Sequence, residues 1–445
     1  MRQDGIATSS GNRRRRRADR PESMQQASLR NWSVALARDE RNRNVAMWIF
    51  LILLARTTLA APIRAFIPFF WYIPDLFMLI AFGFLLNNGL RYSVMKTVLF
   101  VTALVTLMLY ALLNSAFVDV VLQTRQIGYV ILACLVGMGT RSSSQTLPRA
   151  IILLGITAMI GVYWDYLFKV PWAGAVFSGA LQAREVSREW WGAGGMRRLS
   201  GFGLSSTDTS AIIAVGCLTA CAFLRSKLLG ILMCAAAIHT LLLTTQKATA
   251  GWLIVLVAVY YLPALMSGRA NAARKGPVLI LKGLAIAGLV GCLMVPIISY
   301  GLRLGQIMDV DAPTLDQRTA EVWPTIIPYL LSFPEFLLGY GMGAIGFTAS
   351  NPDLRLCDNM FLYIAMSFGV PIALAVFIAG GVALWRAPAR FERDSYALAV
   401  AALLILNGIT ANVLGSGGVN GIYLGFAIGL LLRPRPRGER RSAPA

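Results

Sequence analysis

The sequence predicts an all-α polytopic membrane protein with about twelve transmembrane helices and two large outer loops. Three observations predict it. Hydrophobic residues make up 57% of the 445 residues and charged residues 14%, with a mean hydropathy of +0.63, a balance far from that of soluble chains. Apolar runs of membrane-spanning length, roughly 17 to 25 residues, recur from Met47 to Leu432. The basic residues behind a net charge of +20 lie mainly in the tails and in short connections between apolar runs, which is the positive-inside pattern and not a nucleic-acid-binding surface.

Along the chain, residues 1–44 form a polar tail with the run Arg13-Arg14-Arg15-Arg16-Arg17 and no apolar segment before Val45. This tail reads as retained in the cytoplasm and touching anionic lipid, not as a signal peptide. The expected spans are 45–62, 70–87, 96–115, 122–139, 150–167, 205–224, 228–244, 249–266, 278–299, 358–380, 395–413 and 417–433, one bundle over 45–433. Inner connections carry Arg91 and Lys96, Arg141 and Arg149, Arg225 and Lys227, Arg269, Arg274 and Lys275, then Arg386, Arg390 and Arg393. The short outer connections near 116–121 and 414–416 carry no Lys or Arg, so both termini, including the basic tail 434–445, are expected inside.

Two outer segments, near 168–204 and 300–357, depart from this scheme by being long and basic, with Arg184, Arg188, Arg197, Arg198, Arg303, Arg318 and Arg355. Long outer loops translocate largely regardless of charge, and Glu185, Glu189, Asp309, Asp311, Asp316 or Glu321 offer partners. An anionic ligand is the other explanation. Within the second loop, Trp323 to Pro334 is apolar but studded with prolines, as suits an amphipathic helix lying at the interface.

Soluble-enzyme signatures are missing: there is no phosphate-cradling G-x-x-x-x-G-K-[ST] loop, no G-x-S-x-G elbow and no histidine pair. The single histidine, His239, lies in an apolar run and reads as a hydrogen-bonded residue of the bundle. Cys134, Cys217, Cys221, Cys234 and Cys292 fall in or beside apolar runs and Cys357 in a loop, with no disulfide framework or zinc spacing. Arg56, Asp75, Arg125, Asp165 and Asp208 are charges inside apolar segments. Their cost in lipid turns them toward the bundle interior or an outer cavity. For Arg125 the alternatives are a substrate contact and an ion pair with one of the aspartates.

Three stretches together resemble the bacterial Wzy-type polysaccharide polymerases and the related O-antigen ligases. The first, Arg198-Leu-Ser-Gly-Phe-Gly-Leu-Ser-Ser-Thr-Asp-Thr-Ser-Ala, looks like that family's Arg-x-x-Gly passage from outer loop into helix. The second, Leu241 to Trp252, is similar to a helix end with Thr-x-Ser-Arg, here with Gln246-Lys247 in place of Ser-Arg. The third runs from Arg318 through Trp323 to Gly339-Tyr-Gly-Met-Gly and Asp358-Asn359, resembling an Arg…Trp…Gly-x-Gly…(His/Asp)-Asn series.

The resemblance implies a metal-independent, GT-C-like glycosyltransferase without cofactor, at the periplasmic face of the bacterial inner membrane. It would join undecaprenyl-diphosphate-linked oligosaccharides into exopolysaccharide or O-antigen. Partners are then the lipid-linked substrate and membrane lipids, with room for a chain-length regulator and no nucleic acid. Charge on the departing diphosphate calls for guanidinium groups at the membrane boundary, and Arg198 and Arg318 are the candidates, with Arg197, Lys247 and Arg125 as further diphosphate ligands. Asn359 and Trp323 are the expected glycan contacts. Asp358, where the ligases resemble one another in a histidine, is expected either to take the attacking hydroxyl's proton or to cap the next helix. The rival readings are an O-antigen ligase acting on lipid A core and a lipid-linked sugar transporter or flippase. The missing loop histidine weighs against the first, and two unequal loops without related halves weigh against the second.

Overall fold

The computed structural model describes residues 40–92, 94–140, 145–168, 170–178, 183–187, 190–191, 197–224, 226–267, 275–302, 317–346, 354–355, 357–387, 392–415 and 418–432. Residues 1–39 and 433–445, and Arg188, Arg303, Glu189, Asp309, Asp311 and Asp316, with their expected roles, lie outside the described residues.

The chain is overwhelmingly helical. α1 (Glu40–Thr58) and α2 (Ala60–Phe66) form one apolar stretch bent by 80°. A short 3-10 turn, Pro68–Trp71, leads into α3 (Ile73–Tyr92), followed by α4 (Val94–Asn114), α5 (Phe117–Gly139) and α6 (Thr146–Leu167). After the first outer segment come α7 (Ser206–Phe223), α8 (Lys227–Leu243), α9 (Lys247–Ser267) and α10 (Lys275–Leu302). The second outer segment holds a π turn, Arg318–Val322, then α11 (Trp323–Leu331) and α12 (Glu335–Leu338). α13 (Met360–Phe368), α14 (Val370–Arg386), α15 (Glu392–Asn407) and α16 (Val419–Leu432) complete the bundle.

Each expected span falls on a helix or a broken pair of helices, but the count of twelve crossings is not reached on length and composition. Among the described residues, Phe117–Gly139, Thr146–Leu167, Ser206–Phe223 and Gly276–Gly301 are long and apolar enough to cross a membrane, five spans in all if the bent α1–α2 pair counts as one. Seven further apolar helices are shorter, 10 to 17 residues. The span expected at 358–380 is broken at Gly369, where a left-handed φ of +88° and the following Val370-Pro371 end α13 and start α14.

The all-α class holds, with a small β addition in the first large segment. This segment folds two short antiparallel hairpins, β1 (Val176–Ser178) with β2 (Ala183–Glu185), and β3 (Trp190–Trp191) with β4 (Arg197–Arg198). A small core of Trp71, Val170, Trp172, Phe177, Val186 and Leu204 holds this segment on α2, with Ala61 N–H donating to the Phe202 carbonyl at 2.9 Å.

Close helix packing uses small residues, as lipid-solvated bundles require. A Cβ on Gly155 of α6 would lie 2.9 Å from the Gly216 Cα of α7, and one on Gly421 of α16 would lie 2.9 Å from Val130 Cγ2 of α5. The main core then runs through α7, α13, α15 and α16, where Ile212, Met366, Leu403 and Tyr423 are fully buried. The proline-rich stretch does form a one-sided helix: α11 buries Trp323, Ile326, Ile327 and Leu330 and exposes Thr325, Pro328 and Leu331. Its apolar stripe packs on α10 and α13.

Candidate functional site

The Arg-x-x-Gly stretch is a turn with defined fastenings. Gly201 has φ +57°, and a Cβ there would sit 2.6 Å from the Gly161 carbonyl carbon and from Val162 N, so only glycine fits. Its N–H donates to Asp165 Oδ2 at 3.1 Å, and Thr209 Oγ1 donates to the Ser200 carbonyl at 2.6 Å. Ser205 then caps α7 reciprocally with Asp208: its hydroxyl accepts the Asp208 N–H at 3.2 Å and donates to Oδ2 at 2.8 Å. These bonds tie the end of β4, and so Arg198, to α6 and α7.

Arg318 and Asp358, forty residues apart in sequence, meet across the second outer segment. Arg318 Nε donates to Asp358 Oδ2 at 3.0 Å, and Nη2 lies 3.0 Å from the same oxygen. Oδ1 is engaged by no described residue, and the Asp358 side chain is 37% exposed. Arg198 lies within electrostatic reach of both: burial first, and then the Arg318 charge, push its guanidinium pKa down, with Asp358 opposing them. Arg198 Nε is buried and has no hydrogen-bond partner among the described residues. Arg318 and Asp358 thus form a half-buried ion pair with Arg198 within electrostatic range, and among the described residues Arg198 Nε and Asp358 Oδ1 keep spare donor and acceptor capacity.

Other expected site residues are placed elsewhere. Arg197 pairs with Asp165 at 2.7 Å, a carboxylate only 1% exposed, so it fastens β4 to α6. Lys247 is exposed at the start of α9, beside Gln246, whose amide donates to Ser206 Oγ at 3.1 Å and Thr207 Oγ1 at 3.4 Å. That contact brings the second sequence stretch against the first. Arg125 joins Arg56, Asp75 and Tyr129: Asp75 lies 3.4 Å from Arg125 Nη1 and 3.5 Å from Arg56 Nη1, which donates to Tyr129 Oη at 2.9 Å. Of the two alternatives for Arg125, the ion pair is the one observed, and Tyr129 is a member that no charge pattern announced.

The two expected glycan contacts are corrected. Trp323 is fully buried, so its ring has no open face on which a sugar could stack. Asn359 is likewise fully buried; its Oδ1 accepts the Leu362 N–H and its Nδ2 donates to the Ile409 carbonyl, each at 3.0 Å. Asn359 is therefore the cap of α13, which removes capping from the alternatives for Asp358.

The glycine series has a structural task. Gly339, Gly341 and Gly343 all have left-handed φ, +70°, +89° and +91°. A Cβ on Gly341 would lie 2.6 Å from Ala111 Cα, and one on Gly343 would lie 2.7 Å from the Asp119 carbonyl carbon. Tyr340 N–H donates to the Met366 carbonyl at 2.7 Å, Tyr110 Oη to the Gly339 carbonyl at 2.7 Å, and Gly343 N–H to Gln123 Oε1. The series lays the second outer segment onto α4, α5 and α13, ahead of Asp358.

His239 hydrogen-bonds Tyr163 Oη at 2.6 Å, though on an exposed face of α8. The cysteines give the largest departure from the sequence reading: Cys217, Cys221 and Cys234 converge, with their sulfurs all within 4.8 Å of one another.

Composition and helix architecture together define a helical membrane protein. Comparison with protein families, with characterised proteins and with solved structures finds no match to this chain.

Proposed function

We propose that this protein is a polysaccharide polymerase of the bacterial inner membrane. It joins undecaprenyl-diphosphate-linked oligosaccharide units into exopolysaccharide or O-antigen at the periplasmic face. In this reading the twelve expected segments all cross the membrane in a GT-C-like arrangement, both termini are cytoplasmic, and the arginine-aspartate site faces outward. The observation that carries the reading is the ion pair of Arg318 with Asp358, with Arg198 of another motif stretch within electrostatic range of both.

The chemistry follows from their charges. A hydroxyl of the acceptor glycan attacks the anomeric carbon of the donor, the carbon–oxygen bond to the diphosphate breaks, and both electrons leave with the diphosphate. Among the described residues no ion pair holds the Arg198 guanidinium, so it lies ready for that charge, and a fixed cation in a partly desolvated site stabilises a developing anion strongly. Asp358 receives the hydroxyl's proton on Oδ1 while Arg318 holds Oδ2 and fixes the carboxylate's orientation. Arg318 also faces the departing diphosphate as the second cation. Lys247, exposed near the membrane boundary in this topology, attracts the diphosphate as a point charge.

The test is chain growth by purified protein in liposomes supplied with lipid-linked repeat units. Wild type is expected to extend them, and EDTA to leave the rate unchanged. Arg198→Ala and Arg318→Ala are each expected to lower the rate at least a hundredfold while inserting normally. Product of normal length and yield from either variant would remove the assignment.

A further inference from the structure

The bundle contains a second set of reactive side chains, remote from the arginine site. Cys217 and Cys221 are four residues apart on α7 and so present their thiols from one face, and Cys234 of α8 faces them. Cys234 Sγ lies 3.5 Å from Cys217 Sγ and 3.1 Å from Cys221 Sγ, and all three sulfurs fall within a 4.8 Å sphere of mutual distances. Cys217 is buried and the other two are half-buried. From Ser206, beside the outer site, to Cys221 the helix rises about 22 Å at about 1.5 Å per residue, so the cluster sits toward the opposite end of α7, near its connection to α8.

The separations suit a metal ion. An ion about 2.3 Å from each of three sulfurs in a plane holds those sulfurs about 4 Å apart, within the spread observed. The ligand set selects the ion: it is all sulfur and three in number, with no fourth His, Asp, Glu or Cys in the group among the described residues. Structural zinc sites are closed by four ligands, whereas soft thiolates favour monovalent copper at low coordination number.

We propose that Cys217, Cys221 and Cys234 form a binding site for one Cu(I) ion. Binding replaces thiol protons, which pass to solvent, and requires no electron transfer because the ion enters already reduced. The ion bridges α7 to α8, a structural link between helices and not a participant in glycan transfer. The proposal is independent of the polymerase reading.

The experiment uses the full-length, reduced protein in detergent under anaerobic conditions, titrated with Cu(I) in competition with bicinchoninate. Wild type is expected to take one Cu(I) per chain and, once loaded, to protect Cys217, Cys221 and Cys234 from alkylation as read by mass spectrometry. Cys234→Ser and Cys221→Ser are expected to weaken binding at least a hundredfold, while Cys292→Ser, outside the cluster, is expected to bind as wild type does. Unchanged affinity in both cluster variants, alkylation of the three thiols in the copper-loaded protein, tighter retention of Zn(II) than of Cu(I), or recovery of Cys221 and Cys234 as a disulfide would each overturn the site.

Discussion

In the pair of Arg318 with Asp358, Nε and Nη2 of the guanidinium both engage a single carboxylate oxygen and leave the other open among the described residues, free for the proposed base role. Asp358→Asn keeps the size and the bond to Arg318 but cannot take a proton. It is expected to lose at least a hundredfold in chain-growth rate with little change in thermal stability, and an active Asp358→Asn would move the base elsewhere. At Arg198 the geometry of the charge matters as well as its sign. Arg198→Lys is expected to recover only part of what Arg198→Ala loses, since an ammonium cannot grip two phosphate oxygens at once; the comparison of the three rates checks this. Trp323 separates packing from recognition. Trp323→Ala should cost about 3–5 kcal/mol of stability and lower the melting temperature in detergent, while Trp323→Phe should retain most activity. An unaltered melting temperature in Trp323→Ala would contradict the buried position.

At the scale of elements, two turns hold the outer segments in place, and both depend on glycine. Gly201 starts α7 from a left-handed conformation against the backbone of α6, and Gly341 presses the second segment against Ala111 of α4. Gly201→Ala and Gly341→Ala should each destabilise by about 1–3 kcal/mol through strained backbone and displaced neighbours. Limited proteolysis should then cut the outer segments before the bundle. The caps are a milder case: Asn359→Ala removes one accepted and one donated hydrogen bond at the start of α13 and should cost about 0.5–2 kcal/mol. Because Asn359 directly follows Asp358, its loss should also slow chain growth by loosening the carboxylate, whereas a glycan contact would instead shift sugar preference.

For the molecule as a whole, burial divides it into a helical bundle and two large connecting segments, the first with its own small aromatic core. The bundle is held by close glycine contacts between α5 and α16 and between α6 and α7. The first large segment is attached through α2, where Arg64 stacks over Trp71 at 4.0 Å and the β1–β2 hairpin packs, and the second through α4, α5 and α13. Reporter fusions placed in the segments 168–204 and 300–357 are expected to report a periplasmic position, and fusions at either terminus a cytoplasmic one. A cytoplasmic signal from either large segment would invert the topology and remove the substrate's access to Arg198 and Arg318.

Legibility differed by the kind of physics involved. Hydropathy and length placed the apolar segments on helices, because in lipid each backbone group is satisfied within its own apolar segment, but did not show the break at Gly369 or how few helices are long enough to cross. Arg198 and Arg318 were singled out as basic residues in long loops expected to lie outside, and Asp358 by the family resemblance; their spatial relation was not legible, since Arg318 and Asp358 are forty residues apart. Tertiary structure decided which side chains remained available. It withdrew Trp323 into the core, used Asn359 as a cap and paired Arg197 with Asp165 and Arg125 with Asp75. It also gathered Cys217, Cys221 and Cys234, whose separation along the chain resembles no metal motif. Sequence by itself determined the solvent, the segments and the charges, all set by transfer from water to lipid one stretch at a time. Which groups meet was settled by packing, because a contact between distant segments depends on how whole helices cross.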